Sequence, residues 1–169
     1  AYEYLDHGGA QHSARVLGLD PHAVVKTLVM QDQDARPLLV LMHGVGSNEQ
    51  DLFSLAPQIP DRFHVLSLRA PFRMGPGSHA WFDFSIEPSG ERTINEEQEA
   101  QSRALVAQAV ESAAEQLGIP PERVVVGGFS QGGIMALSLL LTRPALMHAG
   151  LVWHSRLLPQ VVPPVSYTH

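Results

Sequence analysis

The chain has 169 residues, 44% of them hydrophobic and 17% charged, with a formal net charge of −6 at pH 7. That length suits one domain around one buried core, and the apolar share argues against wholesale disorder. Basic residues are scattered, Lys26 is the only lysine and cysteine is absent, so nucleic acid is not an expected partner and thiolate metal sites are excluded.

Residues 1–9 are polar and acidic, and no apolar run approaches the roughly 18 residues of a membrane span. Neither export nor membrane spanning is expected, and the cytoplasm is the default location. From Asp34 onward, short apolar runs alternate with helical patterns, which predicts an α/β fold with a mostly parallel sheet and helices on both faces. Residues 37–42 are continuously apolar, as a strand buried on both faces requires. Ser47 or Asn48 is placed to cap a short helix running to Leu55. Residues 63–68 read as the next strand, ended by Ala70-Pro71, and the Pro- and Gly-rich residues 71–77 read as a loop.

Residues 95–117 form the clearest helix. Asn95 with Gln98 resembles a capping box, Leu105, Val106, Ala109, Val110, Ala113 and Leu117 recur at helical spacing, and Gly118 supplies the stop. Pro120-Pro121 then precedes a β-branched strand, residues 123–126, that leads straight into the glycine-rich residues 127–133. The helix at 134–142 ends before Pro144, residues 149–153 are a further strand, and residues 159–164 are proline-rich.

Gly128-Phe129-Ser130-Gln131-Gly132 fits G-x-S-x-G between that strand and that helix, the context in which the pattern marks a nucleophile elbow. Glycines two residues either side of Ser130 remove side chains where strand and helix approach, and the sharp turn lifts its hydroxyl above the sheet edge. The start of the helix offers backbone N–H groups to a developing negative charge, and Gln131 would donate one of them. His43-Gly44-Val45-Gly46, directly after a buried strand, matches the loop that supplies the second oxyanion donor, here Val45. His43 itself is read as a structural hydrogen-bonding group under the loop rather than a base. The plainer readings are a tightly packed or phosphate-holding turn at Ser130 and an ordinary strand exit at His43. The phosphate version lacks the Lys-Ser/Thr pair of a P-loop.

These residues are similar to the phospholipase/carboxylesterase family, which includes bacterial carboxylesterases, lysophospholipases and acyl-protein thioesterases. The resemblance covers residues 38–159 and rests on Leu41-Met42-His43-Gly44, Arg69-Ala70-Pro71, Ala80-Trp81-Phe82-Asp83 and Gly128-Phe129-Ser130-Gln131-Gly132-Gly133. It implies an α/β-hydrolase that cleaves small-molecule or lipid esters or thioesters through an acyl-enzyme on Ser130, with no cofactor and no metal. It also implies that Trp81 and Phe82 shape the acyl pocket, the alternative for Trp81 being a place in the core. In this fold the triad acid and histidine follow the serine. No Asp or Glu follows Ser130, so impaired turnover is expected, and His148 and His154 are expected to flank a sheet strand.

The first 44 residues resemble something else. Tyr2-Glu3-Tyr4, Ala10-Gln11-His12-Ser13-Ala14, Leu17-Gly18-Leu19-Asp20-Pro21 and Val25-Lys26-Thr27-Leu28-Val29 are similar to the start of a YbaK-type aminoacyl-tRNA deacylase. That family's editing domain uses a lysine at the position of Lys26. The organisation read from this is a deacylase-like segment at 1–36, an incomplete hydrolase domain at 37–160 and an irregular tail at 161–169. The simplest account is a chimera joined near Leu41-Met42-His43-Gly44; the alternative is an ordinary N-terminal helix and strand of the hydrolase. A deacylase fragment and a non-catalytic fragment with a relic elbow are the rival functions. An uncovered sheet edge further predicts self-association.

Overall fold

A computed structural model describes residues 24–27, by their backbone, and residues 36–162. In chain order the elements are β1 (Val24–Thr27), β2 (Leu38–Met42), helix α1 (Glu49–Phe53), β3 (His64–Leu68), β4 (Phe72–Gly75) and β5 (Ser78–Ala80). They continue with β6 (Phe84–Ile86), β7 (Arg92–Ile94), helix α2 (Glu96–Leu117), β8 (Val124–Phe129), helix α3 (Gln131–Thr142) and β9 (Ala149–Trp153). The main sheet has the order β1-β3-β2-β8-β9, parallel throughout except for β1, which runs antiparallel to β3 at one edge. The expected α/β class with a mostly parallel sheet is therefore what the molecule has.

Strand β2 is central because its sequence is apolar on both faces. All five of its residues are buried. Leu38, Val40 and Met42 join Leu66, Val126, Val110 and Leu139 in the larger core beneath α2 and α3, while Leu39 and Leu41 pack with Val65, Leu52 and Phe53 beneath α1. Helices thus cover both faces, and each fully buried Val or Leu side chain contributes about 1.5–3 kcal/mol. Over β8 and β9 the face shared with α1 is less covered: Phe129, Leu151 and Trp153 are each 41% exposed.

Helix α2 begins where its cap dictates. Asn95 Oδ1 accepts from the Gln98 N–H at 3.1 Å, and Gly118 ends the helix in the left-handed region at φ 64. The reciprocal half of the capping box is not made. Gln98 instead accepts from the Asp83 N–H at 2.6 Å and donates to Asp83 Oδ2 at 3.0 Å, which ties α2 to the chain just after Phe82.

Three sequence expectations need correction. The Pro- and Gly-rich residues 71–77 are not a plain loop: β4 and β5 pair as an antiparallel hairpin. The helix capped by Asn48 ends at Phe53, and the helix after the elbow starts at Gln131. Lys26 lies in β1, whose backbone pairs with β3, so this stretch is an edge of the main sheet. Residues 1–23 and 28–35, on which most of the deacylase resemblance falls, and residues 163–169, most of the expected tail, lie outside the described residues.

Candidate active site

The parallel register brings the ends of β2 and β8 level, with Met42 opposite Gly128. Immediately beyond, β8 turns into α3 at Ser130, which has φ 52 and ψ −114. A non-glycine residue held there costs on the order of 1–3 kcal/mol and persists only where its surroundings enforce it. Here they do. The Ser130 N–H donates to Trp153 O at 2.9 Å, its carbonyl accepts from the Ile134 N–H at 3.1 Å, and the Ser155 hydroxyl donates to the same carbonyl.

The glycines around Ser130 are required by space. A Cβ at Gly128 would lie 2.3 Å from Gly132 C and O, and one at Gly133 would lie 2.2 Å from Ser155 Oγ. Any side chain at these positions would push the strand, the helix and the 154–155 turn apart.

The loop after β2 lies against this elbow. A Cβ built on Gly44 would be 3.5 Å from Ser130 Cβ and 3.2 Å from Phe129 Cδ1. Among the described residues the Val45 N–H has no backbone acceptor, whereas the next two amides are engaged: Gly46 N–H to His79 O at 2.8 Å and Ser47 N–H to Gly44 O at 3.3 Å. Gln131 opens α3, where the first N–H groups have no partner within the helix.

His43 is buried and both of its ring nitrogens are occupied. Nδ1 donates to Gly44 O at 2.7 Å, and Nε2 accepts from the Ala70 N–H at 3.1 Å. This tautomer is neutral, and burial holds the imidazole below its ordinary pKa against the raising effect of its bond to Gly44. His43 therefore braces the loop from beneath, as the sequence suggested.

Below the loop, Glu49 and Arg69 form a bidentate pair at 2.6 and 2.8 Å, and the Ser67 hydroxyl donates to Glu49 O at 2.6 Å. Burial, the largest single influence, raises the Glu49 carboxyl, but the Arg69 hydrogen bonds, a backbone N–H and the Arg69 charge together outweigh it and the net shift is downward. His79 is also held below its ordinary pKa, by burial first and then by the Arg69 charge. An open polar depression lined by Ser47, Asn48, Asp51, Arg69 and His79 lies beside this pair and does not include Ser130. Sequence reasoning did not find the Glu49–Arg69 pair, whose partners lie 20 positions apart.

Trp81 and Phe82 are 1% and 2% exposed, with their side chains packed in the larger core. His148 and His154 flank β9 as expected. His148 precedes the strand, at the end of the sheet opposite Ser130, whereas His154 follows Trp153, which is paired with Phe129. The His154 ring meets Phe129 edge-on at 5.8 Å. Among the described residues no imidazole or carboxylate bonds the Ser130 hydroxyl, and no three His, Asp or Glu side chains gather into a metal-binding group. No described helix is long and apolar enough to cross a membrane.

A parallel sheet whose central strands end in a glycine loop and a strained serine turn defines the α/β-hydrolase class. Comparison with known proteins takes this further. Residues 23–163 match the model of the Phospholipase/Carboxylesterase family, and the chain belongs to that family. It is similar to acyl-protein thioesterase 1 of Mycosarcoma maydis, with 30% identity over 142 residues covering 72% of this chain and 59% of that protein. Esterase YpfH of Escherichia coli K12 is 28% identical over 142 residues, covering 80% and 57%. Among solved structures, the Bacillus cereus carboxylesterase superposes with a TM-score of 0.64 at 26% identity, covering 78% of this chain and 60% of that one. The chain thus spans less than two thirds of the length of these relatives. The family match takes in Lys26 and the rest of residues 23–36, and the deacylase resemblance gains no support from it.

Proposed function

We propose that this chain carries the nucleophile and oxyanion hole of a serine hydrolase acting on carboxylic esters or thioesters. The observation that carries the reading is the strained Ser130 turn, with Gly44 of the neighbouring loop packed against its Cβ. In the reaction Ser130 Oγ attacks the acyl carbonyl, and a base takes its proton. The oxygen that gains negative charge is held by the Val45 and Gln131 N–H groups. The alcohol or thiol leaves with a proton, and water then releases the acid from the acyl-serine. Names of relatives such as acyl-protein thioesterase and esterase support an ester or thioester substrate.

The base and its orienting acid follow the serine in this fold. No Asp or Glu follows Ser130 in these 169 residues, so their turnover is expected to be slow. Loss of triad members leaves a residual rate from the oxyanion hole and binding. The test is p-nitrophenyl ester hydrolysis by the chain and by Ser130→Ala, together with fluorophosphonate labelling. Loss of both signals in Ser130→Ala supports the assignment; an unchanged rate in that variant refutes it.

A further inference from the structure

Trp81 uses every polar atom it has, and its partners lie on both sides of the oxyanion hole. Its indole Nε1–H donates to His43 O at 2.9 Å, two residues before the Val45 donor. Its backbone N–H donates to Gln131 Oε1 at 2.7 Å, on the residue that bears the other donor. Gln131 Nε2 returns to Phe82 O at 2.6 Å, and the Ser102 hydroxyl holds Trp81 O at 2.5 Å. The His43 and Trp81 rings also lie 5.6 Å apart, tilted by 37°. Besides this link, the loop after β2 and the elbow after β8 meet through side-by-side strand ends, the Gly44 contacts with Phe129 and Ser130, and the packing of Gly132 on the Met42 and His43 backbone, none of which is a directed hydrogen bond from a side chain.

Resting on the hydrolase reading above, we propose that Trp81 is a positioning residue that fixes the separation of the Val45 and Gln131 N–H groups through its indole hydrogen bond to the loop. A purely hydrophobic role does not require this arrangement. A core filler needs volume, whereas the indole N–H is a directed donor, and the carboxamide of Gln131 is spent on the backbone of residues 81 and 82. A gap of this kind between donors matters because they must meet the oxygen as its charge develops, and misplacement by about 1 Å costs up to a hundredfold in rate.

The test replaces Trp81 with β-(3-benzothienyl)alanine, which keeps the bicyclic volume and removes only the donor, and with Phe as the encodable counterpart. For Ser130 acylation by p-nitrophenyl acetate, the maximal rate should fall by about tenfold to a hundredfold while the half-saturating concentration stays constant. Phosphonylation of Ser130 by a fluorophosphonate should slow in parallel. Amide hydrogen exchange at residues 43–46 should rise while that of β2 does not, a readout that needs no turnover. Parent rates and parent exchange in the benzothienyl chain would overturn the proposal, as would a loss explained entirely by a smaller folded fraction. The Ser130→Ala chain keeps the two questions apart: if it retains the parent rate the hydrolase reading itself is wrong, whereas silence there with an unperturbed benzothienyl chain removes only the role of Trp81.

Discussion

Substituting Gly132 by Ala adds one methyl group at the most closely packed of the described glycines. Its Cβ would stand 2.0 Å from Met42 O, 2.5 Å from Met42 C and 2.6 Å from His43 O. All three are backbone atoms, so no rotamer change relieves the overlap. Ordinary contact begins at 3.4 Å, which requires an opening of about 1 Å or more. Met42 is held in register by Leu68 on one side and Gly128 on the other, so the elbow is the part that moves. Movement of the elbow carries the Gln131 N–H away from the Val45 N–H. A displacement of this size costs on the order of a hundredfold in rate, or about 2.7 kcal/mol of transition-state stabilisation. Overpacking lowers folding stability by about 1–3 kcal/mol, or several degrees in Tm. The assay is the rate of fluorophosphonate labelling of Ser130, measured well below the melting temperature. Gly75→Ala serves as a control, because a Cβ there meets nothing within 4 Å. A Gly132→Ala chain that labels at the parent rate, or a control equally impaired, would refute the reasoning.

Two other perturbations test separate parts of the structure. Arg69→Ala leaves the Glu49 carboxylate buried without its partner and should cost about 2–3 kcal/mol, toward the low side for a buried pair because the Arg69 side chain is 30% exposed. In the parent chain the Glu49 carboxyl is held below its ordinary value of 4.5. Its contribution to stability is therefore complete above that value and is lost as pH falls through the lower folded pKa. Melting curves between neutral and acid pH should show this acid-side loss in the parent and not in Arg69→Ala; equal acid sensitivity would contradict it. Strand β9, an edge of the sheet among the described residues, with Leu151 and Trp153 41% exposed beside Phe129, should pair with a second copy, and Trp153→Lys should reduce concentration-dependent sedimentation. A parent chain that sediments as a monomer at all concentrations would rule this out.

The parts of the fold that were legible in the sequence are those whose signal is local. The apolar run of β2, the Asn95 cap and Gly118 stop of α2, and the β-branched strand feeding the serine turn each carry their own chemistry, and each stands where it was expected. Hairpin β4–β5 was missed because its stability comes from elsewhere. Its strand residues are mostly half-buried, with no apolar run among them, and it is anchored by the Ser47–His79 bridge and by Asn48 Nδ2 donating to Gly77 O at 2.8 Å. Hairpin β6–β7 has no buried residue to announce it. The residues of the proposed site, Ser130, Val45 and Gln131, were legible as candidates through their spacing after strands. The second use of Gln131, as a side-chain clamp on Trp81 and Phe82, was not, because it joins residues 50 apart in the chain.

The order of strands also sets when this site comes into being. Strand β2 emerges early and is joined by β3, the next strand along, yet its other neighbour, β8, is synthesised only after two hairpins and the long helix. Contacts of such sequence separation form late, after local structure. On the ribosome the loop bearing Val45 is therefore made well before Ser130, and the two are brought side by side only when β8 docks against β2.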